Sequence, residues 1–137
     1  MDFTPIPKQF TTPITCTVRR ASFTMRDGWV HGGFWIDLTG SGTAGTEFKI
    51  TAEPTTDGVS FLPAPLSANA GLTVGRYEYI CTATAVRYTG NLTWDGTDLR
   101  FKMGGVVAVA DYLGQSGPSF TSLSGDSASG QFFYEAE

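Results

Sequence analysis

The stretch from Phe23 to Ile50, FTMRDGWVHGGFWIDLTGSGTAGTEFKI, carries the clearest alternation of apolar and polar positions in the chain. Val30, Phe34, Ile36 and Leu38 share one face of a period-2 pattern, and Trp29, His31, Trp35 and Asp37 share the other. Side chains alternate across a strand, so this spacing predicts a half-buried strand. Asp27-Gly28 just before it predicts a tight hairpin, because a type I′ turn needs positive φ at both central residues. A Gly/Ser/Thr loop over 39–46 leads to a further strand, with Phe48 and Ile50 inward, Glu47 and Lys49 outward, and Pro54 as its stop. The outward face of the middle strand is polar yet carries two indole rings, more than a solvated face needs. Function is sought first on that face.

The rest of the chain repeats the theme. Ile14 to Met25 (ITCTVRRASFTM) alternates until its phase slips at Arg19-Arg20, which predicts a strand broken near Ala21. Residues 76–88 (RYEYICTATAVRY) read as the longest clean strand, with Tyr77, Tyr79, Cys81, Ala83 and Ala85 on one face. NLTWDGTDLRFKM predicts a second hairpin: Leu92 and Trp94 precede a turn at Asp95-Gly96-Thr97, and Leu99, Phe101 and Met103 follow. Shorter strands are expected at Val59–Leu62, within a long loop over 54–75, at Val106–Tyr112 and at Ser119–Leu123. The closing QFFYEAE alternates like a strand inside a sheet. At the start, Pro5, Pro7 and Pro13 impose extended geometry on residues 1–15, where Phe3, Ile6 and Phe10 are apolar. That segment is either a strap across the domain's own surface or an arm that docks on a neighbouring subunit. About eight to ten short strands with regular turn signals suggest an antiparallel β-sandwich or jelly roll. The expected organisation is an extended N-terminal arm over 1–15 and one jelly-roll-like domain over 16–137.

Composition sharpens the class. Seventeen Gly and seven Pro in 137 residues, with no window of 3.6 periodicity, argue for all-β. The net charge of −4 keeps the chain soluble and argues against a phosphate-backbone partner, so nucleic acid is not expected. No apolar run reaches the length of a membrane span, and no secretory leader is visible, so synthesis in a cytoplasm is expected. Cys16 and Cys81 lie far apart inside strand-like runs and read as buried free thiols rather than metal ligands. His31 is the single histidine, which leaves a nucleophilic triad no choice of base. The acids are spread singly, and Asp95 and Asp98 sit in a turn that uses Asp for its own geometry. No enzyme activity, cofactor or metal is expected. Binding remains, with Trp29, His31, Trp35, Tyr77, Tyr79 and Trp94 as candidate contact residues.

The order of these elements resembles the small β-sandwich domains of tail fibres and minor tail proteins of tailed bacteriophages. Three parts carry the resemblance: the opening hairpin Arg26-Asp27-Gly28-Trp29-Val30-His31-Gly32-Gly33; the loop and strand Gly45-Thr46-Glu47-Phe48-Lys49-Ile50 through Pro54; and the closing pattern Asp111-Tyr112, Phe120, then Gly130 to Tyr134. It covers about residues 15–136, and it departs from the pattern at Asp27, where such domains often show Asn, and in the Thr-Ala-Glu before Pro54. The resemblance implies a jelly-roll-like homotrimer in a virion, made in the host cytoplasm, that contacts other virion proteins or host cell-surface glycans. Attachment to the particle is expected through the N-terminal arm (Phe3, Ile6, Phe10) or the domain's faces. Tail-tip or fibre component is the first expectation and capsid decoration the second. A soluble lectin-like carbohydrate-binding module is the alternative of another class, ahead of a small β-sandwich hydrolase.

Overall fold

A computed structural model describes residues 1–52, 62–66, 73–103, 112–115 and 120–136. These form β1 (Ile6–Gln9), β2 (Thr12–Pro13), β3 (Cys16–Arg26), β4 (Trp29–Leu38), β5 (Phe48–Thr51), β6 (Thr73–Cys81), β7 (Val86–Trp94), β8 (Asp98–Met103) and β9 (Ser127–Glu135). All nine belong to one antiparallel sheet in the order β2-β1-β5-β8-β7-β6-β9-β4-β3. There is no helix among the described residues, as expected of an all-β chain. The described residues form a single curled sheet rather than the two packed sheets expected of a sandwich.

The N-terminal segment joins the two margins of that sheet. On one side β1 pairs with β5, Ile6 opposite Thr51 and Gln9 opposite Phe48. Within the segment the Ile14 N–H donates to the Pro7 carbonyl at 2.7 Å, and on the other side the segment reaches β3, where the Phe3 N–H donates to the Ala21 carbonyl at 3.1 Å and the Phe23 N–H to the Met1 carbonyl at 2.8 Å. Phe3 is buried against Phe23 and Phe132, ring centroids 6.4 and 5.9 Å away. Residues 1–15 are therefore built into the sheet and do not project as an arm. Proline-imposed extension looks the same in sequence for both cases; the burial of Phe3 separates them.

The curl encloses a core rich in aromatic rings. Val30, Phe34, Ile36 and Leu38 of β4 all point into it, as their alternation requires. They meet Phe48 and Ile50 of β5, Leu92 and Trp94 of β7, Leu99 and Phe101 of β8, and Phe132 and Tyr134 of β9. Phe48 sits edge-on to both Tyr79 and Phe101 at 5.0 Å, a geometry the ring quadrupoles favour.

Turn chemistry explains which hairpins the sequence declares. Asp27 (φ 53°) and Gly28 (φ 82°) form the expected turn, placing Arg26 opposite Trp29. The Asp95 carboxylate accepts from the Thr97 and Asp98 N–H groups at 2.8 and 2.7 Å and fixes the second hairpin. The expected single strand over 76–88 is in fact two. β6 ends at Cys81 and β7 begins at Val86, with a turn over 82–85 and Ala85 at φ 55°. That turn has no Gly, Asn or Asp of its own. It is held from outside, where Thr82 donates its N–H to Asp126 at 3.1 Å and its hydroxyl to the Gly125 carbonyl at 2.5 Å.

Other expectations resolve simply. The break near Ala21 is a register shift between Val18 and Arg20, which leaves both Arg19 and Arg20 exposed. The last strand, β9, lies inside the sheet between β6 and β4. Residues 59–61, 106–111 and 119 of three expected short strands lie outside the described residues; Leu62 is buried without strand pairing, and 120–123 are not a strand.

Candidate functional site

The outer surface of β3, β4, β9 and β6 is organised in cross-strand rows. One row runs Arg26–Trp29–Glu135 and the next Thr24–His31–Phe133. Trp29 and Phe133 stack at 4.8 Å with their planes 14° apart, and His31 meets the Phe133 ring edge-on at 5.9 Å. The stacked rings remain open to solvent, Trp29 at 42% and Phe133 at 57%. Phe133 escaped the sequence reading. Its signal was the alternation of Phe132, Phe133 and Tyr134, which sends the outer two inward and the middle ring out.

Two further rows run Ser22–Gly33–Gln131–Arg76 and Arg20–Trp35–Ser129–Glu78. Between them lies an open groove of about 550 Å³, lined by Arg20, Trp35, Arg76, Glu78, Ser129 and Gln131 among others. Small side chains of β9 make its floor. Trp35, 52% exposed, stands on one wall. A second hollow of about 400 Å³ adjoins it toward His31 and shares Arg20 and Gln131.

Gly33 has a specific part in this shape. A Cβ at that position would lie 2.6 Å from Nη2 of Arg20. The missing side chain thus gives the Arg20 guanidinium its seat, leaning from its own row into the row of Gln131. Three other arginines are committed elsewhere: Arg19 to Asp37 at 2.6 Å, Arg100 to Glu47 at 2.7 Å, and Arg87 to Glu78 at 3.6 Å. Among the described residues Arg20, Arg26 and Arg76 have no carboxylate within salt-bridge distance, and of these Arg20 and Arg76 line the groove.

Of the residues singled out from sequence, Trp29, His31 and Trp35 come together on this face. Tyr77, Tyr79 and Trp94 do not; all three are core residues. Trp94 donates its indole N–H to the Pro63 carbonyl at 3.0 Å, and burial pushes the Tyr77 and Tyr79 hydroxyl pKa values up. The three residues assigned to an arm also part company: Phe3 is buried, Ile6 is half-buried, and Phe10 is 62% exposed at the tip of the β1–β2 turn.

Cys16 and Cys81 are both free thiols. Burial, reinforced by the Asp126 charge, pushes the Cys81 thiol up to about 11, so it is protonated and unreactive near neutrality. Among the described residues no group of His, Cys, Asp or Glu is arranged to hold a metal ion, and no helix is long and apolar enough to cross a membrane. Comparison with protein-family models, with curated proteins and with solved structures finds no match.

Proposed function

We propose that this chain is a non-enzymatic structural protein of a tailed-phage virion, a minor tail, tail-tip or fibre component that associates as a homotrimer through the Trp29–Phe133 end of the outer face of β4 and β9. The supporting observation is the Trp29–Phe133 stack. Two large rings held against each other on a rigid sheet, yet left about half in water, are what an interface core offers its partner. Phe10 supports the same reading from another place. A bulky residue at φ 63° is strained, and the ring gains no burial in return. The virion assignment itself rests on the order of hairpins, loop and closing strand along the sequence.

The test is the solution mass of the purified protein by light scattering at several concentrations. A trimer is expected, and a Trp29→Ser/Phe133→Ser double variant is expected to run as a folded monomer with one cooperative unfolding transition at a lower midpoint, since the stack and the subunit contacts are both lost. A wild-type monomer at every concentration removes the self-association part. Absence of the protein from purified particles removes the virion part, and labelling of particles distinguishes tail from capsid decoration. The groove beside Trp35 favours a second reading, a carbohydrate-binding module, because it sets one exposed indole beside several hydrogen-bonding side chains.

A further inference from the structure

We infer that the groove beside Trp35 is a binding site for an acidic saccharide, with the sugar's carboxylate over Gln131 between Arg20 and Arg76 and its ring against the Trp35 indole. This rests on the reading of the outer face as a contact surface and specifies what one part of it contacts.

The register carries the argument. Gly33, Gln131 and Arg76 are consecutive across β4, β9 and β6. Neighbouring strands are about 4.8 Å apart, so Gly33 and Arg76 are roughly 10 Å apart with Gln131 between them. The Arg20 guanidinium lies over Gly33. Two guanidinium groups without a carboxylate partner therefore flank one amide side chain. A guanidinium presents its N–H groups as a fork that matches a carboxylate, and such charge-assisted pairs are among the stronger hydrogen bonds. The chain carries a net charge of −4, so this local excess of positive charge runs against its overall balance.

Charge also selects the anion. Glu78 lines the same groove, and its carboxylate is shared with Arg87 at a loose 3.6 Å. Its residual charge penalises a dianion more than a monoanion, which favours a carboxylate over a phosphate. The remaining lining suits a sugar. Trp35 offers an apolar plate with a polar edge. Ser127 and Ser129 on the floor can donate to or accept from ring hydroxyls. An open volume of about 550 Å³ lies within the usual range of small-ligand sites, and its open side leaves room for a chain of sugars to continue.

The test is an amide-shift titration of the labelled protein with an oligosaccharide of glucuronic acid, with the matching glucose oligomer and inorganic phosphate as controls. Shifts confined to β4, β6 and β9 around Trp35 and Gln131 are expected with the acidic sugar, and binding about tenfold or more weaker with the neutral one. Trp35→Ala, Arg76→Gln and Arg20→Gln should each weaken binding about tenfold while the remaining amide spectrum is retained. Arg76→Lys keeps the charge and loses the fork, and should fall between. Equal affinity for the glucose oligomer, equal affinity for phosphate, or indifference to both arginine variants overturns the inference, as does no binding at all. The Trp29→Ser/Phe133→Ser variant separates the two claims: it should lose the trimer and keep the sugar, so failure of assembly is not read as failure of the groove.

Discussion

Asp126 shows how a single buried charge organises its neighbourhood. The residue is almost fully buried and has no cation beside it among the described residues. Instead its oxygens accept from the Thr82 N–H at 3.1 Å, the Leu123 N–H at 3.1 Å and the Tyr79 hydroxyl at 2.8 Å. Tyr79 in turn lies 2.8 Å from the Ser122 hydroxyl. Asp126→Ala strands several buried donors at once and should cost about 3 kcal/mol or more, read as a fall in the urea midpoint. Asp126→Asn keeps the volume but offers one acceptor oxygen, and should lose less. An Asp126→Ala midpoint equal to wild type would show that water replaces the carboxylate there.

The same neighbourhood sets an alkaline limit. In the folded chain Cys81 keeps its proton until about pH 11, whereas an unfolded thiol releases it near 9.0. Tyr77 and Tyr134 are likewise pushed above their ordinary 10.0 by burial, and Tyr79 by burial together with the charge and hydrogen bond of Asp126, against a smaller lowering by the Ser122 hydroxyl. Between these values the native state binds more protons than the unfolded state. Stability is therefore full below about pH 9 and falls as pH rises from there, by about 1.4 kcal/mol per pH unit for each group that only the unfolded chain has released. Urea midpoints at pH 7, 9 and 10.5 check this, and Cys81→Ala should make the fall between pH 9 and 10 shallower without abolishing it, because burial also raises the Cys16 thiol from 9.0. A midpoint that stays level through pH 10.5 contradicts it.

At the scale of elements, the three apolar residues of the N-terminal segment separate cleanly. Phe3 packs on Phe23 and Phe132, so Phe3→Ala should destabilise the fold by about 3 kcal/mol. Phe10 touches no core and sits at positive φ, so Phe10→Asn should leave the monomer equal or slightly more stable, by up to about 1 kcal/mol. Chemical unfolding of both variants checks the contrast; a Phe10→Asn loss comparable to that of Phe3→Ala would place Phe10 in the packed structure. What sequence made legible follows the same physics. Asp27-Gly28 and Asp95-Gly96 announce their turns because the turn residues themselves supply the conformation. The turn after Cys81 was hidden because Asp126, far along the chain, supplies the hydrogen bond that holds it. The face of β4 was legible from alternation alone, so Trp29, His31 and Trp35 were found. The groove was not, because Arg20, Arg76 and Gln131 become neighbours only through the pairing of β3 with β4, β4 with β9 and β9 with β6.

For the whole molecule, closure of the sheet decides how copies can meet. An open margin presents unpaired N–H and C=O groups and invites strand addition from another chain. Here residues 1–3 cover β3 at Ala21–Phe23, and β1 with the two-residue β2 lies beyond β5, so the chain's own N-terminus sits at both margins. Association of intact copies through the described residues then uses a face, and the stacked exposed rings of Trp29 and Phe133 mark it. The two routes predict opposite results for two variants. Removing residues 1–5 uncovers the margin of β3 and exposes the place that Phe3 fills. It should yield concentration-dependent aggregates that bind a β-sheet dye and grow with time. The Trp29→Ser/Phe133→Ser variant leaves the margins covered and removes the rings. It should yield a soluble monomer whose mass does not change with concentration. If instead the ring variant keeps the wild-type mass and the truncated chain forms a defined trimer, assembly runs along strand margins, and the N-terminal segment is the element that holds the copies apart.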